Sequence, residues 1–136
     1  MLTALDRQQI NETLARHAHV VDEDRPDLLG EVFTTDATYD MTRSGMGAFQ
    51  GIDAMRAAAE RMFAAGVAPL SHFVTNVVIT ETGASTASVR SKGLMIMRDG
   101  GLHAVVYDDG VELHDGRWLI ASRVISPVAA ATADVG

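Results

Sequence analysis

Residues 71–126 read SHFVTNVVITETGASTASVRSKGLMIMRDGGLHAVVYDDGVELHDGRWLIASRVIS. Four runs stand out: Ser71–Glu81, Ser85–Met97, Leu102–Leu113 and Trp118–Ser126. Each favours β-branched and apolar residues, which fit a pleated, half-buried surface. Turn chemistry separates them at Thr82-Gly83-Ala84, Arg98-Asp99-Gly100-Gly101 and His114-Asp115-Gly116-Arg117. The stretch predicts a meander of four long antiparallel strands.

The residues before Pro69 have a different period. In Asp6–Val21, Ile10, Leu14, His17 and Val21 recur at the i, i+4, i+7, i+11 spacing of a buried helix face. Pro26 is placed to open a short second helix, Pro26–Phe33. Thr34–Met41 reads as a turn into a short strand. Thr42–Gly51, with Gly45, Gly47 and Gly51, reads as a loop. A third helix covers about Ile52–Ala65, striped by Ile52, Met55, Ala59 and Met62 and closed by Gly66. Three helices followed by a meander define an α+β fold, with the helices on one face of a curved, antiparallel-rich sheet. A cone of this kind encloses a cavity.

Composition bounds the function. The chain has 136 residues, 47% of them hydrophobic, which suits one globular core. We expect one domain over residues 1–127 and a flexible tail or lid over 128–136. There are no cysteines, so disulfides, thiolate chemistry and cysteine-ligated metals are excluded. The net charge is −7 and no Lys/Arg cluster is visible, which argues against nucleic acid. No apolar run approaches the ~20 residues of a membrane span, and the N-terminal segment lacks the apolar region of a signal peptide. A cytoplasmic protein is the expectation.

One acid stands out. Asp22 lies eight residues past Leu14, on the flank of the first helix's apolar stripe. A carboxylate beside an apolar interior is costly unless it is paired. His17, on that stripe, and His72, opening the first strand of the meander, are candidate partners. Arg123 alternates with Leu119, Ala121 and Ile125 on an otherwise apolar face and needs a carboxylate: Asp22, a ligand oxygen or a structural salt bridge would each serve. Alternation puts His103, Val105, Tyr107 and Asp109 on one face. Tyr39 shares a face with Ala37 and Met41. The methionines at 41, 46, 55, 62, 95 and 97 suit an adaptable apolar cavity. His17 and His19 are two apart on a helix, so their rings diverge by about 200° and cannot share a metal ion. We expect neither metal nor cofactor.

The opening ALDRQQINETLARHAHVVDEDRPDLLGEVFTTDATYD, the helix entry FQGIDAM, the strand SHFVTNVVI and the close YDDGVELHDGRWLIASRVI occur in an order and spacing that resemble the SnoaL-like branch of the NTF2-like superfamily. That branch includes scytalone dehydratase-like and bile-acid dehydratase-like enzymes. The resemblance implies a cone fold, commonly dimeric through its sheet, and a small hydrophobic substrate. It implies that Asp22 and His72 act together as acid and base, with Arg123 near the substrate. Two positions depart from the family. Its frequent tyrosine five residues before the acid is His17 here. The acid that isomerase-type members carry on the first strand is Met41 here, with Asp40 turned to the other face. The expected activity is dehydration, isomerisation or cyclisation of a polycyclic or aromatic carbonyl or hydroxy compound. His17, Asp22, His72 and Arg123 are the catalytic candidates, and Tyr39, Met41, His103 and Tyr107 the substrate-binding ones. A ligand-binding accessory protein, or an epoxide hydrolase-like site built on Asp–Arg–Asp, stays open.

Overall fold

The computed structural model describes residues 1–129. Helix α1 spans Ala4–Asp22. A capping box starts it: the Thr3 hydroxyl accepts from the Asp6 N–H at 3.0 Å, and the Asp6 carboxylate accepts from the Thr3 N–H at 2.8 Å. Its buried face is Ile10, Thr13, Leu14, His17 and Val20, one residue off the predicted stripe at its end. The helix is pinned to the sheet by polar contacts as well as apolar ones. The Thr13 hydroxyl donates to the Trp118 carbonyl at 2.7 Å, and the Trp118 indole donates to Asp6 at 3.1 Å. The short second helix is a 3₁₀ helix over Pro26–Glu31, ending before the expected Phe33, which instead opens β1.

Six strands follow the order β2-β1-β6-β5-β4-β3, with β1 Phe33–Asp40, β2 Ala48–Gln50, β3 Ser71–Gly83, β4 Thr86–Ile96, β5 Leu102–His114 and β6 Arg117–Pro127. The meander β3–β6 is antiparallel throughout, as the sequence predicts. Two features differ from the sequence reading. The glycine-rich segment contains the short strand β2, which pairs with β1. Strand β1 pairs in parallel with β6, making the sheet mixed. Helix α2, Ile52–Ala64, begins at Gly51, whose positive φ of 86° lets its N–H reach the Ala37 carbonyl at 2.7 Å.

The β5–β6 hairpin turns on Asp115 and Gly116, both with φ > 0, the backbone of a type I′ turn. A bulge in β3 centres on Asn76, with φ 55°, a conformation asparagine tolerates. The bulge resets alternation, so Val74 and Val77 both pack on the core. The core of Ile10, Leu14, Val32, Phe33, Val89, Val111, Trp118 and Ile120 fills the space between α1 and the sheet. On the opposite sheet face, Phe73, Val78, Leu94 and Leu102 are exposed. The expected tail begins at Val128, whose N–H still donates to Ala104 at 2.9 Å; its residues 130–136 lie outside the described part.

Candidate active site

The core stops short of one end of the sheet. There the chain leaves a cavity of about 290 Å³. Its walls are mainly apolar and include all six methionines singled out in the sequence. Tyr39 from β1 and Met41 just after it, His72 from β3, and His103 and Tyr107 from β5 also line it, with His17 from α1. His103 is exposed and sits at the rim.

Asp22 is the last residue of α1, and His72 is the second of β3, so the packing of helix on strand brings them together. Asp22 Oδ1 lies 2.5 Å from His72 Nδ1. Asp22 Oδ2 accepts the His72 backbone N–H at 2.9 Å and faces the Ser71 hydroxyl at 3.5 Å. The pair is largely shielded: its side chains are 19% and 15% exposed. His72 lines the cavity and Asp22 stands behind it. With Nδ1 committed to the carboxylate, Nε2 is the ring nitrogen available to a ligand.

The second polar group is built around Arg123, only 1% exposed. Its Nε and Nη2 donate to the two oxygens of Asp109 at 2.7 and 2.9 Å, a bidentate pair. Nη1 lies 3.1 Å from His17 Nδ1. The guanidinium also stacks on the Tyr107 ring, 4.1 Å from its centroid. Tyr107 lies so close over Gly93 that any Cβ there would strike the ring. Of the three partners open to Arg123, the structure therefore selects the structural salt bridge. Arg123 does not line the cavity. It acts on a ligand through the cavity-lining residues beside it, His17, Tyr39 and Tyr107, and it is unavailable for an Asp–Arg–Asp site facing a water in the cavity.

Electrostatics follow from this packing. Burial, reinforced by the Arg123 and His72 charges, holds the His17 pKa well below the ordinary 6.5. Burial raises the phenols of Tyr39 and Tyr107 above the usual tyrosine value, with Arg123 opposing the shift in both. Burial alone would lower the Arg123 pKa; the Asp109 charge and hydrogen bonds reverse this and hold it above ordinary arginine. His17 packs edge-on against Phe33 at 5.4 Å and His72 at 6.5 Å between ring centroids. His19 and His114 are exposed, beside Glu23 and Glu112 respectively. Among the described residues, no three His, Asp or Glu side chains converge as metal ligands.

Sequence reasoning assigned no role to Asp109. Its signal was present: alternation placed it on the Tyr107 face, and Arg123 required a buried acid.

A mixed, curved sheet closed by helices over an apolar cavity defines the NTF2-like cone. The chain matches the SnoaL-like domain family over residues 2–124 and belongs to that family. No curated protein matches it in sequence. Among solved structures it is similar to a candidate aromatic ring hydroxylase from Novosphingobium aromaticivorans, with 24% identity, TM-score 0.82, and 96% and 94% of the two chains covered. A candidate scytalone dehydratase from the same organism gives 18% identity, TM-score 0.76 and coverage of 97% and 90%. LinA gives 19% identity, TM-score 0.78 and coverage of 97% and 94%. At these identities the likeness establishes the fold. No helix among the described residues is long and apolar enough to cross a membrane.

Proposed function

We propose that the protein is an acid–base enzyme acting on a small, largely apolar carbonyl or hydroxy compound, with Asp22 and His72 as its proton-transfer pair. The observation that carries this reading is the 2.5 Å contact between Asp22 and the cavity-lining His72. In the proposed reaction, His72 Nε2 takes a proton from the carbon next to a carbonyl. The positive charge gained by the ring is balanced by the Asp22 carboxylate against Nδ1. The electron pair left on carbon either expels a β-oxygen or moves through the enolate. The proton on Nε2 then passes to the departing oxygen, completing dehydration, or to another carbon, completing isomerisation. Ring closure uses the same proton route. The similarity to a candidate scytalone dehydratase favours water loss.

The test is incubation with bicyclic ketones and β-hydroxy ketones in D₂O. Mass spectrometry follows water loss and deuterium uptake. Wild-type protein is expected to show one or both, and Asp22→Asn and His72→Ala to show neither. Equal turnover in wild type and both variants would overturn the role of the pair, and no turnover by wild type would overturn the reading and leave a ligand-binding protein.

We propose further that two copies associate through the sheet face carrying Phe73, Leu94 and Leu102, where Phe73 lies opposite Leu94 in the β3–β4 ladder and all three are exposed. Sedimentation is expected to show a dimer in wild type and a monomer in Phe73→Lys.

A further inference from the structure

We propose that His17 is a permanently neutral hydrogen-bond donor into the cavity, locked as its Nε2–H tautomer by Arg123 and Asp109, and that it selects ligands presenting an uncharged acceptor oxygen. The inference rests on the acid–base reading for the reaction the bound ligand undergoes, but not for the locking itself.

The geometry carries the argument. A guanidinium has donors and no acceptor. At 3.1 Å from Arg123 Nη1, His17 Nδ1 must therefore be the nitrogen with the lone pair. The ring proton then belongs to Nε2. Arg123 cannot turn away, because Asp109 grips its other two nitrogens and Tyr107 covers its face. A second proton on His17 would put an N–H against the guanidinium and create a like charge in a dry site. The groups facing His17 are Arg123 from β6, Tyr39 from β1 and His72 from β3, with Tyr107 and Asp109 of β5 beyond Arg123. Among the described residues no carboxylate touches the His17 ring, so none there stabilises the charged form.

The consequence is a division of labour between two histidines in one cavity. His72 has a carboxylate on Nδ1 and can gain and lose a proton. His17 has a guanidinium donor on Nδ1 and only donates. Among the described residues no lysine or arginine lines the cavity, and Arg123, the buried cation behind it, is already matched by Asp109. A ligand carboxylate or phosphate would therefore lack a counter-charge. A ketone or hydroxyl oxygen would find His17 as a neutral donor, with the Tyr39 and Tyr107 phenols on the same wall.

Arg123 and Asp109 are positioning residues in this account. The experiment is histidine ¹⁵N–¹H correlation spectroscopy on the full chain, from about pH 5 to 8. His17 is expected to show the Nε2–H tautomer throughout, without titrating. An Nδ1–H tautomer, or titration near 6.5, would overturn the proposal. In Asp109→Asn/Arg123→Gln the lock is removed, so mixed tautomers and titration are expected; a wild-type pattern there would show that burial alone does the work and would overturn the positioning role. The wild-type spectrum decides the lock even if that variant does not fold. Two probes of matched size, 1-tetralone and 1-naphthoate, then test selection. The ketone is expected to bind at least about tenfold more tightly, a difference of about 1.4 kcal/mol. His17→Gln, which can accept from Arg123 and donate into the cavity, should keep this preference, and His17→Phe should lose it. Tighter binding of the naphthoate would overturn it. Failure of the acid–base reading is separately visible: Asp22→Asn would leave turnover intact while the His17 spectrum stayed as described.

Discussion

Asp22 binds His72 twice, once through the ring at 2.5 Å and once through the backbone N–H at 2.9 Å. One carboxylate thus fixes both the strand position and the ring orientation of its partner. The same contact ties the end of α1 to the start of β3. The pair is consequently a fold contact as well as a candidate proton relay.

Replacing Asp22 with asparagine keeps the size but removes the charge opposite the ring. Proton transfer through His72 is expected to fall by about 10²–10⁴-fold, the range a positioned acid–base group contributes. Because an amide oxygen can still accept the His72 backbone N–H, the fold should survive. Single-turnover kinetics on the first substrate found in D₂O, alongside circular dichroism, checks both statements.

Asp109→Asn leaves the Arg123 charge buried without its partner. Breaking a buried pair from one side costs about 3–5 kcal/mol. Replacing both residues by apolar ones, Asp109→Leu with Arg123→Met, should cost less than the sum of the two single changes. Urea denaturation of the three variants measures this coupling.

Stability should depend on pH through His17. Its folded pKa lies below the unfolded value of 6.5, so the unfolded chain binds the extra proton first as pH falls. The stabilisation tied to the neutral ring is complete above 6.5. It is lost as pH drops from there through the folded pKa, with a slope of up to about 1.4 kcal/mol per pH unit for one group. Urea midpoints measured down the acid side should fall in wild type and fall less steeply in His17→Gln.

Gly93→Ala puts a methyl group where the Tyr107 ring lies. Crowding of this kind typically costs about 1–3 kcal/mol. The ring must then shift, and the Arg123 guanidinium stacks on it at 4.1 Å. The expected result is lower stability together with changed His17 ¹⁵N shifts. Unchanged shifts would mean that Tyr107 and Arg123 move independently.

Much of this fold is legible locally. The four meander strands, both α-helices and the Asp115-Gly116 hairpin follow from period and turn chemistry, properties of neighbouring residues. The parallel pairing of β1 with β6 is not, because Thr38 opposite Ser122 is a contact across most of the chain and leaves no periodic trace. Strand β2 is three residues long and set among glycines, so propensity argues against it. At the site, the acid on the flank of α1's apolar stripe marked Asp22, and the first strand residue beyond Ser71 marked His72. The joining of His17 to Arg123 needed three elements in place at once. Alternation could offer Asp109 as a neighbour of Tyr107 but could not say that the acid, rather than Asp22, meets the guanidinium.

The parallel β1–β6 ladder also sets an order of assembly. Strand β1 carries Phe33 and Tyr39, yet apart from the short β2 its ladder waits for β6, which the ribosome delivers after β3, β4 and β5. Pairings so distant in sequence are slow to close. The hairpins of β3–β5 can form early, while the cavity wall bearing Tyr39 is raised last. Mutations that weaken β6 should therefore expose the greasy interior to chaperones before they alter any residue that meets a ligand.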